Sequence, residues 1–416
     1  MALDPVRSPL VSGMVHVTDS AEIEEILKSS SFIQVASRVG HSQLIPGALS
    51  TLDGLEHSQR RRIESKLFRP DRIEYYRQAA LLPSMAAAMD ELRSLKDASG
   101  VVRTDLVPLT WRMAQAIPAV LAGIDGAGDA AGAATLTTYV KDIAAAVTIG
   151  WQVGDHEEIL RRGLEARAAL RRDFFDSSVA RRRNLLAEVR AGRRAAGDVP
   201  RDLISLLLQN LRPDEDAGTI LAETMMFLMA SITTTAGAFP HFIVRLLDWM
   251  ADHPEYRPEL VNQDFIQRAV NESLRFFVAS PARLREARED CLLASTGRRV
   301  TAGAKFALWF VPANMEAATF GPDALEFNPL REDGRNRPWG LAFGAGPHSC
   351  IGRTVITGFP RRTADGGSAH VYGTMTTLAL HLFEAGLEID PDSPPRLTSS
   401  TFYDEYVSLP VTLTAL

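Results

Sequence analysis

One stretch of ten residues decides how this sequence is interpreted: Phe343-Gly344-Ala345-Gly346-Pro347-His348-Ser349-Cys350-Ile351-Gly352. It places a single thiol in a bend that has glycines on both sides. Glycine has no Cβ, so the backbone can turn tightly there and approach a flat ligand closely. Backbone N–H groups in such a bend can point at the sulfur and stabilise the thiolate, which is the form that binds metals. The stretch predicts a metal-binding cysteine, and the alternative is a structural cysteine in a glycine-rich turn.

The spacing of the fixed residues resembles the haem-binding signature of the cytochrome P450 family: Phe, two residues, Gly, one residue, His or Arg, one residue, Cys, one residue, Gly. The resemblance implies a bacterial-type P450 with a mainly α fold and small β-sheets. It implies haem b (iron protoporphyrin IX) with Cys350 as the axial metal ligand. Phe343 then packs beside the sulfur, His348 reaches a haem propionate and Gly352 closes the signature. A thiolate ligand donates electron density to haem iron and favours O–O cleavage.

The composition is compatible with one large globular unit. The chain has 416 residues, of which 46% are hydrophobic and 23% charged, which is ordinary globular composition. With no linker signal in the sequence, the resemblance implies a single cytochrome P450 domain over 1–416. The formal net charge of -6 does not favour nucleic acid or anionic membrane as a partner. Two cysteines, Cys291 and Cys350, cannot staple a chain of this size, and the N-terminus has no signal-peptide pattern. A cytoplasmic location is expected.

Helical periodicity dominates, with short strand signals near both ends. No Asp, Glu, Lys or Arg occurs from Thr224 to Val244, a length that could cross a bilayer. The hydroxyl residues in its middle favour instead a helix buried inside a soluble protein, without a membrane span. The patterns predict strands at 13–17, 291–293 and 306–310, helices at 21–28, in pieces over 57–208, and at 216–250, 263–277 and 374–385, a loop at 35–54 and a hairpin from 396.

Glu272 and Arg275 are three residues apart on a predicted helix, so they share a face and can pair. Such pairs are common in helices, and alone this one is a weak signal. Ahead of the cysteine loop it resembles the Glu-x-x-Arg helix of the P450 family. The resemblance implies that Arg331 completes a buried charge cluster with the pair. We assign these three residues to structure rather than chemistry.

His57 and Arg61 lie one helical turn apart in a basic segment. The simplest interpretation is the start of a basic surface helix. In the P450 family a His and an Arg at this spacing hold the haem propionates, and cations suit a dianionic porphyrin edge. Arg285 resembles a third propionate ligand, although Arg283 is close enough in sequence to leave the register open.

The long predicted helix departs from the family where it would cross the haem. The family pattern, Ala/Gly-Gly-x-Asp/Glu-Thr-Thr, corresponds here to Ala230-Ser231-Ile232-Thr233-Thr234-Thr235. The resemblance implies that Thr234 hydrogen-bonds oxygen and water beside the haem, the alternative being a bond back to its own helix. Thr233 replaces the acid, and a hydroxyl cannot be a proton reservoir as a carboxylate can. Protons then come through water or substrate, or the chemistry is unusual.

Two further departures concern the ends of the resemblance. Only about fifty residues precede His57, so the family's first helix is expected to be missing. After Arg353, the segment 363–368 interrupts the expected helix and has the composition of an inserted loop. Arg361 and Arg362 stand just before it, on the face where an electron donor would dock. The insertion either alters that docking or is an inert surface loop.

The resemblance implies a monooxygenase that inserts one oxygen atom from O2 into an apolar organic substrate of natural-product type. Electrons would come from a ferredoxin and its reductase, steered by Arg60, Arg62, Arg353 and Arg361. Methionine adapts to irregular apolar ligands, although these methionines would equally pack a core. The expected substrate pocket comprises the 35–52 loop, Met225, Met226, Met229, Ala230, Thr234, Val278 to Ala282, Thr401, Phe402 and Tyr403.

Three alternatives stay open at the level of sequence. The first is a P450-fold enzyme that uses peroxide, or that dehydrates or rearranges its substrate, since the missing acid is then no handicap. The second is a non-catalytic haem protein, such as a sensor or carrier. The third is a helical protein that binds no cofactor.

Overall fold

The computed structural model describes residues 7–35, 38–211, 217–280, 282–331, 337–359 and 370–416, and of Arg38 and Val39 the backbone alone. Most of these residues are helical and the sheets are small, which confirms the predicted fold class. The helices are α1 Ser20–Lys28, α2 Arg38–Leu44, α3 Gly54–Glu64, α4 Pro70–Tyr76, α5 Leu82–Arg93, α6 Leu106–Ala114, α7 Ala116–Ala122, α8 Ala130–Val147, α9 His156–Leu170, α10 Asp176–Arg190, α11 Leu203–Asn210, α12 Ala217–Asp252, α13 Gln263–Phe276, α14 Phe310–Asn314, α15 Ala317–Phe320, α16 Arg353–Thr357 and α17 Thr374–Glu384.

The strands are short and lie towards the two ends of the chain. They are β1 Val15–Val17, β2 Phe32–Gln34, β3 Val102–Asp105, β4 Ala282–Ala287, β5 Cys291–Leu292, β6 Arg299–Val300, β7 Lys305–Trp309, β8 Leu387–Ile389, β9 Arg396–Leu397, β10 Tyr406–Ser408 and β11 Pro410–Leu413. Turns of 3-10 helix include Leu49–Thr51, and single π turns follow α4 and α9.

The chain divides into two compact units. The first comprises the chain up to Val35, Met85–Thr110 and Thr235–Leu416, and the second comprises Ala36–Ser84 and Trp111–Thr234. The helix α12 begins in the second unit and ends in the first. That the whole chain is one domain stays a prediction.

The first unit contains all the strands that the structure describes. A four-stranded sheet has the order β1-β7-β4-β2, in which β1 is parallel to β7 and the other neighbours are antiparallel. The predicted tail hairpin forms from β9 and β10, whereas β11 pairs with β3 and β8 in a three-stranded sheet. The apolar core of this unit includes Ile23, Phe306 and Phe310. The four-stranded sheet and α1 pack on the cysteine loop through Leu341 and Ala345, which belong to the same core.

The loop predicted over 35–54 is wrong for part of its length, because α2 occupies Arg38–Leu44 and a 3-10 turn occupies Leu49–Thr51. Local signals for a helix are weak there, and packing supplies the missing stability. A Cβ on Gly40 would lie 2.2 Å from the carbonyl oxygen of Ala146 in α8. The glycine that suggested a loop therefore allows close helix packing in the second unit.

The helix α12 extends the predicted long helix by two residues at its C-terminal end and includes Pro240. Proline removes one backbone hydrogen bond from the helix. By length and composition α12 could cross a membrane, but 56% of its most apolar window is buried, and the core helix of a soluble protein meets the same test. Burial of this kind accounts for its apolar sequence.

Candidate active site

The cysteine loop is closed by its own backbone. The N–H of Cys350 donates to the carbonyl oxygen of Phe343 at 2.8 Å, and the N–H of Ser349 donates to that of Gly346 at 3.1 Å. Upstream, the N–H of Gly344 donates to the carbonyl oxygen of Leu341 at 2.7 Å. The Cys350 side chain is exposed and forms no disulfide with Cys291. The loop therefore presents a thiol from a fixed backbone.

Two glycines of this loop have left-handed backbone conformations, with φ of 66° at Gly344 and 68° at Gly346. A Cβ on Gly346 would lie 2.4 Å from the carbonyl oxygen of Leu27, so glycine is required where the loop meets the end of α1. Apart from Phe343 and Ala345 on either side of it, no described residue has an atom within 4 Å of a Cβ built on Gly344. One glycine thus serves packing, and the other borders open space as a flat ligand would require.

Two arginines act electrostatically on the cysteine. Burial lowers the pKa of Arg283, and the Cys350 sulfur opposes that shift; the same two effects act on the pKa of Arg353. Arg283 is exposed to solvent. Positive charge beside a thiol favours the thiolate. The sequence did not single out Arg283 for this contact.

Aromatic rings pack along the loop. The ring of Trp339 is buried and meets the ring of Phe343 edge-on, with 5.7 Å between centroids. The guanidinium of Arg353 lies 4.6 Å from the centre of the Trp339 ring. Trp339 was missed at the level of sequence because it lies in an irregular segment with no periodicity.

His348 is oriented by a side chain of β2. The Nε2 atom of Gln34 lies 3.1 Å from Nδ1 of His348. When the amide NH2 donates, Nδ1 accepts and the neutral ring carries its proton on Nε2. His348 can therefore donate from Nε2 to an anion.

Arg283 and Arg285 lie two residues apart on β4, so their side chains leave the same face of the strand. Arg285 is buried, and its Nη1 donates to the carbonyl oxygen of Leu284 at 2.8 Å. Because they share a face, both arginines are candidates to bind the same anionic ligand. Which of the two corresponds to the family's propionate-binding arginine stays undecided.

Glu272, Arg275 and Arg331 meet in the first unit. Arg275 has no exposed surface, and it pairs with Glu272 through Nη2–Oε1 at 2.7 Å and Nε–Oε2 at 3.1 Å. Its Nη1 donates to the carbonyl oxygen of Asn314 at 2.7 Å. Arg331 lies 3.4 Å from Glu272 Oε1 and 2.6 Å from Asp323 Oδ1. The cluster includes main-chain acceptors as well as the three residues singled out in the sequence.

The second unit contains the remaining candidates for chemistry. His57 is buried and Arg61 half-buried, four residues apart on one face of α3. In α12 the hydroxyl of Thr233 donates to the carbonyl oxygen of Met229 at 2.8 Å, and that of Thr234 to Ala230 at 2.6 Å. Both threonines therefore bond back to their own helix. Their oxygen lone pairs can still accept a hydrogen bond from water.

The predicted pocket residues differ in exposure. Met225 is 1% exposed, and Met226 and Met229 are also buried, which supports packing as their role. Ala230 is exposed on the same helix. In the first unit Val278 and Thr401 are buried, Phe402 is half-buried, and the Thr401 hydroxyl donates to the carbonyl oxygen of Tyr403 at 2.7 Å.

One predicted docking residue is wrong. Arg60 is buried, because its Nη1 pairs with Oε1 of Glu223 at 2.6 Å, so it cannot steer a donor. Arg62 is exposed. The helix after the cysteine loop ends at Thr357, and the interruption predicted at 363–368 stays a prediction. Arg361, Arg362 and the segment 363–368 lie outside the described residues.

No group of three His, Cys, Asp or Glu side chains in the described part of the chain could hold a metal ion. A metal at Cys350 therefore needs other donors, which a porphyrin supplies. A single thiolate, two nearby cations and open space beside Gly344 fit such a group.

A family model described as Cytochrome P450 matches residues 11–355 of this sequence. The chain belongs to the cytochrome P450 family. P450s bind haem, and relatives in Streptomyces make this a P450 of bacterial type. Among curated relatives, cyclooctat-9-en-7-ol 5-monooxygenase of Streptomyces melanosporofaciens is 29% identical over 205 residues, covering 43% of this P450 and 43% of the relative. Pentalenic acid synthase of Streptomyces avermitilis is 31% identical over 201 residues, covering 44% and 47% respectively.

The matched segments thus span less than half the length of these relatives. Solved structures cover far more of the P450. The crystal structure of CalO2 has a TM-score of 0.71 at 18% identity, covering 97% of this chain and 92% of that one. A mutant of P450 EryK in complex with erythromycin B has a TM-score of 0.66 at 22% identity, covering 97% and 91%. The P450 fold predicted from the cysteine loop is confirmed.

Proposed function

We propose that this P450 is a haem-thiolate monooxygenase that inserts one oxygen atom into an apolar organic substrate. The observation that carries the proposal is the Cys350 thiol, presented by a closed loop within the field of Arg283 and Arg353. Haem bound through a thiolate supplies the activation of dioxygen. The rest of the chemistry depends on how the chain binds and orients the substrate and how it delivers protons.

Five side chains would hold the haem. Cys350 would bind the haem iron through its sulfur, and the N–H groups of Ile351 and Gly352, which follow it, are candidates to stabilise its charge. His348, with its proton on Nε2, would donate to a propionate. Arg285, His57 and Arg61 would complete the propionate contacts, and guanidinium–carboxylate pairs are strong and directional.

The two threonines of α12 would act on water rather than as proton reservoirs. Each hydroxyl proton is engaged by a helix carbonyl, so each oxygen is an acceptor for an incoming water. We propose that Thr234 positions that water and that protons arrive through solvent or substrate. Thr233, at the position of the family's acid, has no ionisable group to supply them.

The proposed substrate is a natural-product-like molecule, and the candidate contact residues are the 38–52 segment and Ala230 of the second unit and, separately, Val278 and Phe402 of the first. Relatives named for an oxygenation of cyclooctat-9-en-7-ol and for pentalenic acid synthesis, and a neighbour solved with erythromycin B, support this class. Electrons would come from a ferredoxin and its reductase at a face that includes Arg62 and Arg353. A cytoplasmic location follows from this partnership.

The test is turnover by the holoenzyme with NADPH, ferredoxin, its reductase and isotopically labelled dioxygen. The proposal predicts one labelled oxygen atom per product molecule and no product without NADPH. Thr233 in place of an acid favours a second candidate, an enzyme that uses peroxide or that dehydrates or rearranges its substrate. Product formed without electrons and without dioxygen would establish that candidate and overturn the monooxygenase.

A further inference from the structure

Three ionisable side chains that are not assigned to the haem meet inside the second unit. Glu64 of α3 and Glu223 of α12 are each 0% exposed, and Arg60 of α3 is 7% exposed. Arg60 Nη1 lies 2.6 Å from Glu223 Oε1. A buried charge is tolerated only when other groups compensate it. The stability of this buried group therefore depends on the protonation states of the two carboxyls beside the one guanidinium.

Glu223 also holds the backbone of a neighbouring turn. The N–H of Leu49, at the start of the 3-10 turn Leu49–Thr51, lies 3.0 Å from both Oε1 and Oε2 of Glu223. Leu49 is itself buried, so this amide would be costly to leave without an acceptor. One carboxylate thus connects α12, α3 and the turn that ends the 38–52 segment.

Glu64 lacks such donors. Among the described residues, no N–H or O–H group donates to either of its carboxyl oxygens. Its carboxyl is within hydrogen-bonding reach of that of Glu223. Two carboxyls can bond to each other only if one carries a proton, and like charges this close cannot both ionise.

The balance of charges indicates which carboxyl is protonated. Burial, then the charge of Glu223, raises the pKa of Glu64 well above its ordinary value, against the opposing effects of Arg60 and Arg61. Burial also raises the pKa of Glu223, but the Leu49 N–H and Arg60 oppose the rise. Glu223 accepts from the Leu49 N–H and pairs with Arg60, whereas no described group donates to Glu64. Glu223 therefore has the better-stabilised anion, and we assign the proton to Glu64.

We propose that Glu64 and Glu223 share one proton, and that this proton holds the Leu49–Thr51 turn against α12. Both are positioning residues, since neither is among the groups assigned to haem or substrate. The consequence for substrate binding rests on the proposed function, which places the 38–52 segment in the pocket. The shared proton itself does not depend on that function.

The pair is not a substitute for the acid missing at Thr233. Thr234 lies eleven residues beyond Glu223 on the same helix face, about 16 Å along the axis. Phe227 lies between them on that face and packs on Phe68, with 5.9 Å between ring centroids. An aromatic pair in this position blocks a direct proton path.

Raising the pH should release the turn. A group whose pKa is raised by folding loses its stabilising proton as the pH rises through the folded-state value. Two carboxylates would then face one guanidinium, and their repulsion would loosen the contact with Leu49. Glu64→Gln should remove this response, because the amide donates to Glu223 at every pH.

Hydrogen–deuterium exchange of the holoenzyme measures this at the Leu49 amide, after correction for the intrinsic pH dependence of exchange. In the wild type, protection should fall by about tenfold or more as the pH rises, the size of a hydrogen bond to a charged group. Glu64→Gln should stay protected throughout. The control Glu56→Gln, an exposed position on the same helix, should respond as the wild type does. Equal pH responses in the wild type and Glu64→Gln, or no response in the wild type, would overturn the proposal.

Infrared spectroscopy gives a second readout that needs no exchange. A protonated carboxyl band should be present in the wild type at neutral pH and absent from Glu64→Gln; a wild type without it contradicts the shared proton. Substrate affinity, read from the spin-state shift, should weaken with pH in the wild type alone. If Leu49 responds and the affinity does not, the proton pair stands and the proposed place of the segment in the pocket is wrong.

Discussion

At the scale of single residues, burial decides how much an ion pair contributes. Arg275 is wholly enclosed and pairs with Glu272, whereas Arg161 is half-exposed between Glu158 and Glu165 on α9. Both arginines have ideal partners by distance. Solvent screens the ion pairs of Arg161. Breaking the pair of Arg275 and Glu272 would instead leave an uncompensated charge in the interior.

Arg275→Met should therefore lower the free energy of unfolding by about 3–5 kcal/mol, because the Glu272 carboxylate stays buried with only Arg331, at 3.4 Å, and the N–H of Asn328 among the described residues to compensate it. The matched change Arg161→Met should cost less than about 1 kcal/mol. Urea unfolding of both variants measures the difference. Equal losses would show that the cluster is not the structural element proposed.

His241 gives the molecule a pH response of its own. It stacks on Phe277 at 4.2 Å and lies 4.7 Å from the ring of Tyr406, and burial lowers its pKa to about 4. The unfolded chain then binds more protons as the pH falls below 6.5, so stability is present above that value and declines towards 4. As the pH falls from 6.5 to 4, the free energy of unfolding of His241→Phe should decrease less than that of the wild type. Urea unfolding at several pH values measures this. An identical decline in both would contradict the assignment.

At the scale of elements, α12 is a mostly apolar helix that carries two adjacent hydroxyl residues, Thr233 and Thr234. Both hydroxyls have the same bond to their own helix, so local geometry does not distinguish them. The proposed function does, because only Thr234 is placed beside the oxygen-binding position.

Thr234→Val should lower the ratio of product formed to NADPH consumed by about tenfold, which is less than the loss of a proton-transferring group causes, because Thr234 positions water and does not itself supply the proton. Thr233→Val, which removes a hydroxyl with the same helix bond, should change that ratio little. The measurement is product and NADPH counted in the same reaction. A larger effect at Thr233 would move the water-positioning role to that residue.

Helices with a clear local sequence pattern could be predicted, whereas features that depend on packing against distant parts of the chain could not. The sequence predicts α12 to within a few residues because its apolar run has no competing signal. It misses α2, since Gly40 suggests a loop until the backbone of α8 is placed against it. It likewise places Arg60 at the surface, because basic residues usually lie there, whereas the structure buries it against Glu223, which is 163 residues further along the chain. The cysteine loop was predictable because its chemistry is local.

At the scale of the whole molecule, the net charge of -6 makes an acidic donor depend on local positive charge. Arg62→Glu should slow reduction by ferredoxin by about tenfold at low salt, and the effect should shrink as salt screens the encounter. Arg172→Glu, an exposed arginine in the π turn after α9, serves as the control. Stopped-flow reduction at several salt concentrations measures both. Equal slowing by the two variants would reject a specific docking role for Arg62.

The central claim is that the Cys350 sulfur is the axial ligand of a haem. It is tested most directly by the carbon monoxide difference spectrum of the dithionite-reduced protein. The account predicts the red-shifted Soret band of thiolate ligation in the wild type and in Cys291→Ser, and its loss in Cys350→Ser. A wild type without that band, or a Cys350→Ser variant that keeps it, would contradict the account.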